Sequence, residues 1–120
     1  MLVVEDDPDL AALLRRWLEA KKHRVDHIGD GQAALAALRA DPLPDLVLLD
    51  VMLPKVDGFE VLRRLRAEAR TKSLPVVMVS NFSRDRDASR GRELGANDYI
   101  VKPLMESDFL KRLQPLLRDR

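Results

Sequence analysis

Two apolar runs, each closing on a polar residue, constrain this chain more than any other feature. They are DLVLLD at residues 45–50 and LPVVMVS at residues 74–80. A near-continuous apolar run of this length is expected of a strand covered on both faces, as in parallel sheets with helices packed on either side. The rest of the chain supplies the helices. Leu10, Leu13, Leu14, Trp17 and Leu18 recur at helical spacing behind Asp7-Pro8, an N-cap followed by a first-turn proline. Asp30-Gly31 opens a second helix with Ala34, Leu35 and Leu38 as its inner face, closed by Pro42 and Pro44. Asp57-Gly58 turns into a third helix carrying Phe59, Leu62 and Leu65. A fourth is expected to start at a Ser83 cap and to end near Leu94-Gly95, where glycine suits the position just past a helix. The last carries Phe109, Leu110, Leu113, Leu116 and Leu117. Pro115 should end or kink it in its last turn, because proline removes a backbone donor.

Shorter strand signals complete the alternation: Leu2 to Glu5, Arg24 to Ile28 with the look of a sheet edge, and Asn97 to Val101. Five strand–helix units with short connections predict an α/β fold: one doubly wound, five-stranded parallel sheet, (βα)5, with helices on both faces. The 120 residues fit one domain, residues 1–120, with no linker, repeat or low-complexity stretch. Sheets of this kind bind ligands beyond the carboxyl ends of their strands.

Charge and composition exclude several classes of function. Lys and Arg number 21 against 20 Asp and Glu, a net charge of +1, so nothing in the balance favours nucleic acid or a membrane surface. The arginine clusters, Arg63, Arg64, Arg66 and Arg70, then Arg84, Arg86, Arg90 and Arg92, lie among acids and read as solvated helix faces. The absence of cysteine excludes a disulfide scaffold, a thiolate metal site and thiol catalysis. No apolar run approaches the roughly 20 residues of a membrane span, and no secretory signal opens the chain, so a cytoplasmic location is expected.

The polar residues gather at one edge of the expected sheet. The first strand ends in Glu5, Asp6 and Asp7, the third in Asp50, the fourth in Ser80, and the fifth just before Lys102. Acids at one strand end can be a helix cap and nothing more. Asp50 is different, because it closes VLL and is followed by apolar Val51 and Met52, a poor turn and a partly enclosed place. Several carboxylates brought together repel and resist ionisation, a cost that a divalent cation offsets. Oxygen donors without His or Cys favour Mg²⁺, which holds few protein carboxylates and keeps waters that a phosphate can displace. A metal, a carboxylate nucleophile, a hydroxyl and an ammonium are the parts needed to move a phosphoryl group onto an acid.

At these residues the chain resembles the receiver domains of two-component response regulators, from Leu2 to the end of the last helix. VVEDDP matches the family's acidic pair as Glu5 and Asp6, LLDVMLPKVDG its phosphorylation loop, VVMVSN its hydroxyl position, and GANDYIVKP its aromatic and lysine positions. The resemblance implies the flavodoxin-like strand order 2-1-3-4-5 of chemotaxis-type receivers. It implies Asp50 as phosphoacceptor, Lys102 and Ser80 at the phosphoryl group, and Ser80 with Tyr99 as the switch pair. Metal ligands would be Asp6 and Asp50, the Met52 backbone carbonyl, and Glu5 mainly through water, with Mg²⁺ as the cofactor. The Lys102-Pro103 bond is commonly cis in such proteins. Met52 and Phe82 fall where side chains flank the path of a hydrolytic water.

Partners follow from the same resemblance. They are a sensor histidine kinase or a phosphotransfer protein, and a downstream effector protein or domain reached through the face of the fourth helix, fifth strand and fifth helix. The chain would act as a monomer or a phosphorylation-dependent dimer, with no nucleic acid or membrane contact of its own. It would be a switch and not an enzyme, catalysing only its own phosphoryl transfer and slow dephosphorylation. Ser80 would move toward the phosphoryl group, and Tyr99 would then turn inward into the space it leaves. Three departures stand out: a short first strand, Asn81 where a small residue is usual, and Ala88 and Arg92 in place of a basic residue and a leucine used in one dimer. Asp108 and Arg112 do resemble that dimer's charged pair. Two rival readings fit less well. A haloacid-dehalogenase-type phosphatase needs an acid two residues after its aspartate, where this chain has Met52. A degenerate receiver used only for docking has no need to keep Glu5, Asp6, Asp50, Ser80 and Lys102 together. His23 and His27 are placed near the second strand, away from the site, and given no role.

Overall fold

The computed structural model describes residues 1–117. Strands and helices alternate as β1 (Leu2–Val4), α1 (Pro8–Ala20), β2 (Asp26–Ile28), α2 (Gly31–Ala37), β3 (Val47–Asp50), α3 (Gly58–Ala67), β4 (Val76–Ser80), α4 (Asp85–Glu93), β5 (Asp98–Val101) and α5 (Glu106–Leu117). All neighbours pair in parallel, in the order β2-β1-β3-β4-β5. This is the doubly wound fold expected. No helix among the described residues is long and apolar enough to cross a membrane.

Why β3 and β4 form the middle of the sheet follows from their continuous burial. Alternate residues of β3 serve opposite faces: Val47 and Leu49 join one core with Leu35, Phe59 and Leu62, while Leu48 joins another with Leu14, Leu18, Phe109 and Leu113. Helices α2 and α3 thus cover one face, and α1 and α5 the other. Each fully buried leucine contributes about 2 kcal/mol of transfer free energy. Trp17 packs against Phe109, ring centres 5.7 Å apart, joining α1 to α5.

Three N-caps form as the sequence indicates: Asp7, Asp30 and Asp57 each accept backbone amides of the helix that follows. Gly95 takes φ +105 after α4, the left-handed turn that ends it. The expected Ser83 cap does not form. Arg84 stands at the N-cap without a side-chain cap bond, and its carbonyl takes the amides of Asp87 at 3.0 Å and Ala88 at 3.3 Å. Asp85 and Asp87 in the first turn then face the positive end of the helix. Strand β2 is shorter than expected, Asp26–Ile28, although Met1 still donates to the Arg24 carbonyl at 2.6 Å and accepts from the Asp26 amide at 2.9 Å. Pro115 does not end α5, which runs on to Leu117; in the last turn proline removes only one bond.

The arginine clusters are not simply solvated. Arg66 donates to the carbonyls of Gly95 at 3.0 Å and Thr71 at 2.9 Å, and to Asn97 Oδ1 at 3.3 Å, fastening the end of α3 to the α4–β5 turn. Arg70 donates to the Leu38 and Ala40 carbonyls, each at 2.7 Å, and pairs with Asp41 beyond α2. The Arg90 guanidinium lies 4.4 Å over the Phe59 ring, joining α4 to α3.

Candidate functional site

The carboxyl ends of β1, β3 and β5 bring four charged residues together. Glu5, just past β1, is buried, Asp6 is exposed, and Asp50, at the end of β3, is buried. One carboxylate oxygen from each lies within 4.8 Å of the other two. Lys102, just past β5, crosses the sheet edge to them: its Nζ donates to Glu5 Oε1 at 2.9 Å and to Asp50 Oδ2 at 3.2 Å. The Lys102-Pro103 bond after it is cis.

Local structure fixes each acid. The Asp7 amide donates to Glu5 Oε2 at 3.2 Å, while Asp7 itself caps α1. The Met52 amide donates to Asp50 Oδ1 at 3.3 Å. The loop after Asp50 folds back so closely that a Cβ on Gly58 would lie 2.1 Å from the Asp50 carbonyl oxygen. Only glycine fits there, and the Gly58 amide bonds the Val51 carbonyl at 2.8 Å. Lys55 adopts φ +69 to complete that return.

The electrostatics follow from burial. Burial pushes the Glu5 carboxyl above its usual range, the adjacent Asp50 acts in the same direction, and Lys102 opposes both. For Lys102, burial works against its charge, but Glu5 and Asp50 together outweigh it and hold the ammonium above its usual value. The oxygen-only donor set, three carboxylates against one ammonium, suits a hard divalent cation.

Ser80 and Tyr99 are both buried, at the ends of β4 and within β5. They meet through the backbone of Phe82. The Phe82 amide donates to Ser80 Oγ at 2.9 Å, and the Tyr99 hydroxyl donates to the Phe82 carbonyl at 2.8 Å. Burial pushes the Tyr99 phenol up. Tyr99 thus lies in the interior while Ser80 is bonded to the Phe82 amide. Met52 and Phe82 line one cavity of about 540 Å³ with Asp6, Asp57, Phe59 and Arg90, and both keep exposed surface there. Asn81 is exposed beside them.

Two residues escaped sequence reasoning. His27, given no role, places Nε2 2.6 Å from the Glu5 carbonyl oxygen. Asp98 forms a paired contact with Arg112, Oδ1 to Nη2 at 2.7 Å and Oδ2 to Nε at 2.9 Å, while Asp108 lies 3.7 Å from Arg112. Arg112 is thus held within its own chain. Neither contact has a local sequence signal, since each spans separate elements.

Known proteins share both the sequence and this architecture. A sequence model of the response regulator receiver domain matches residues 1–114. The chain belongs to that family. This receiver domain is 40% identical over 118 residues to the DNA-binding dual master transcriptional regulator RpaA of Synechocystis sp., an alignment covering 98% of the chain and 48% of RpaA. It spans about half the length of the relatives it matches. The BeF3-activated N-terminal receiver domain of Klebsiella pneumoniae RstA superposes with a TM-score of 0.89 at 34% identity, covering 98% of this chain and 97% of that one. The receiver domain of the sensor histidine kinase PA1611 from Pseudomonas aeruginosa, solved with a magnesium ion coordinated in its active-site cleft, superposes with a TM-score of 0.88 at 26% identity, covering 98% and 95%.

Proposed function

We propose that this receiver domain relays a signal by accepting a phosphoryl group on Asp50 from a sensor histidine kinase or phosphotransfer protein, with Mg²⁺ as cofactor. The observation that carries the reading is the Lys102 ammonium bridging Glu5 and Asp50 beside an oxygen-only acidic cluster. Asp6, Asp50 and the Met52 carbonyl would hold the ion, with Glu5 acting mainly through water. The bound ion supplies charge neutralisation for the transferred oxygens.

The chain's own residues account for the rest. An Asp50 carboxylate oxygen attacks phosphorus, the P–N bond of the donor phosphohistidine breaks, and its electron pair returns to the imidazole. Lys102, 3.2 Å from Asp50 Oδ2, would stabilise the charge on the new acyl phosphate. Ser80 Oγ can then turn from the Phe82 amide to a phosphoryl oxygen. That exchange would release one end of the peptide segment whose other end holds Tyr99. The face formed by α4, β5 and α5 would shift in population between two packings. The domain would be a switch and not an enzyme in its own right, monomeric or dimerising on phosphorylation, and its effector would read the α4-β5-α5 face.

Incubation with a small-molecule phosphodonor and Mg²⁺, followed by mass spectrometry of peptides, tests the proposal. A phosphoryl group found on Asp50 supports it, and one found elsewhere or not at all defeats it.

A further inference from the structure

We propose that His27 is a positioning residue for the acidic site, through the peptide that joins Glu5 to Asp6. The inference rests on the reading of that site as a Mg²⁺ centre. Glu5 lies one residue beyond the β1 ladder. Its amide still bonds the Ile28 carbonyl of β2 at 3.0 Å. In a parallel ladder the next bond would come from the amide two residues further along β2, that of Asp30, to the Glu5 carbonyl. Strand β2 stops at Ile28, and Asp30 turns away to cap α2 through the Ala33 amide at 2.7 Å. The His27 ring takes up that acceptor instead, with Nε2 2.6 Å from the Glu5 carbonyl oxygen. A carbonyl only accepts, so Nε2 carries the proton in this contact.

The Glu5–Asp6 peptide has one proposed ligand on each side. A turn of that plane about the Glu5 Cα–C bond would take the carbonyl off the His27 ring and swing Asp6 relative to Glu5, opening the 4.8 Å cluster they form with Asp50. His27 restrains that rotation from an exposed edge strand while contributing little to the core. Groups that orient ligands in this way typically change metal affinity by about 10- to 100-fold when lost.

Calorimetric titration of MgCl₂ into wild type, His27→Leu and His27→Gln tests the inference. His27→Leu keeps the bulk without a donor and should bind Mg²⁺ about tenfold more weakly, with little change in the metal-free melting midpoint. His27→Gln carries an amide donor at similar reach and should recover most of the affinity. Equal affinity in wild type and His27→Leu overturns the proposal, as does a His27→Gln protein no better than His27→Leu. Should wild type itself fail to bind Mg²⁺, the metal reading falls and the inference with it. An independent measurement needs no variant: the ring nitrogens of His27 in wild type, read by NMR, should show the proton on Nε2, and a proton on Nδ1 alone overturns the contact.

Discussion

The hydroxyl of Tyr99 donates to the carbonyl of Phe82 at 2.8 Å. Phe82 also donates its amide to Ser80, so one residue's backbone ties the end of β4 to the interior of β5. The predicted consequence is that Tyr99 is held as much by this loop as by packing. Tyr99→Phe removes the donor to the carbonyl of an exposed residue, at about 0.5–1.5 kcal/mol. It should lower the melting midpoint and loosen α4, read as faster amide exchange at residues 85–93.

Ser80→Ala should leave phosphorylation of Asp50 largely intact yet suppress the amide chemical-shift changes that phosphorylation produces around Phe82 and Tyr99. Undiminished shifts at Tyr99 in that variant would contradict the link through Phe82.

The acidic cluster should make stability depend on pH and, on the proposed reading of the site, on Mg²⁺. Glu5 has a raised folded-state pKa, chiefly through burial and then through Asp50. Its contribution is therefore fully present below the ordinary glutamate value and is lost as pH rises through the raised value. Metal-free protein should melt higher in mildly acidic than in neutral buffer, and Glu5→Gln should flatten that difference. Lys102 has a raised pKa as well, so its contribution is constant across this window and is lost only at strongly alkaline pH.

Asp6→Asn removes one of three like charges within 4.8 Å. Charge pairs at about 4 Å interact by about 1 kcal/mol even in water. The variant should melt higher than wild type without metal and gain less from added Mg²⁺. A wild-type midpoint indifferent to Mg²⁺ would refute this account.

Hydrolysis of the acyl phosphate needs a water held in line opposite the Asp50 oxygen. Met52 and Phe82, on the cavity beside Asp6, can neither orient nor deprotonate one. The phosphoryl group should persist, and Met52→Asn with Phe82→Glu should shorten its life at least about tenfold, roughly 1.4 kcal/mol off the barrier. The rate of phosphate loss from purified protein measures it; an unchanged or slower decay in the double substitution counts against the argument.

Arg66→Ala deletes the donors to Gly95, Thr71 and Asn97. It should cost about 1–3 kcal/mol, visible as a lower urea midpoint, with the loss centred on the α4–β5 turn.

Local pattern determined the elements and the inventory of the site. The buried runs ending at Asp50 and Ser80 required central strands, Asp7, Asp30 and Asp57 required helix starts, and strand ends in one parallel sheet had to share an edge. Glu5, Asp6, Asp50 and Lys102 are therefore legible as one cluster in the sequence itself. Tertiary structure decided what holds that cluster and what it is joined to. The His27 ring on the Glu5 carbonyl depends on where β2 stops, and the Arg66 and Arg90 contacts on how α3 lies against α4. The seating of Tyr99 on Phe82 depends on the path of the β4–α4 loop. Each is a bond between elements distant in sequence, set by register and helix placement to within an ångström, and the periodicity that writes a strand or helix carries no record of that distance.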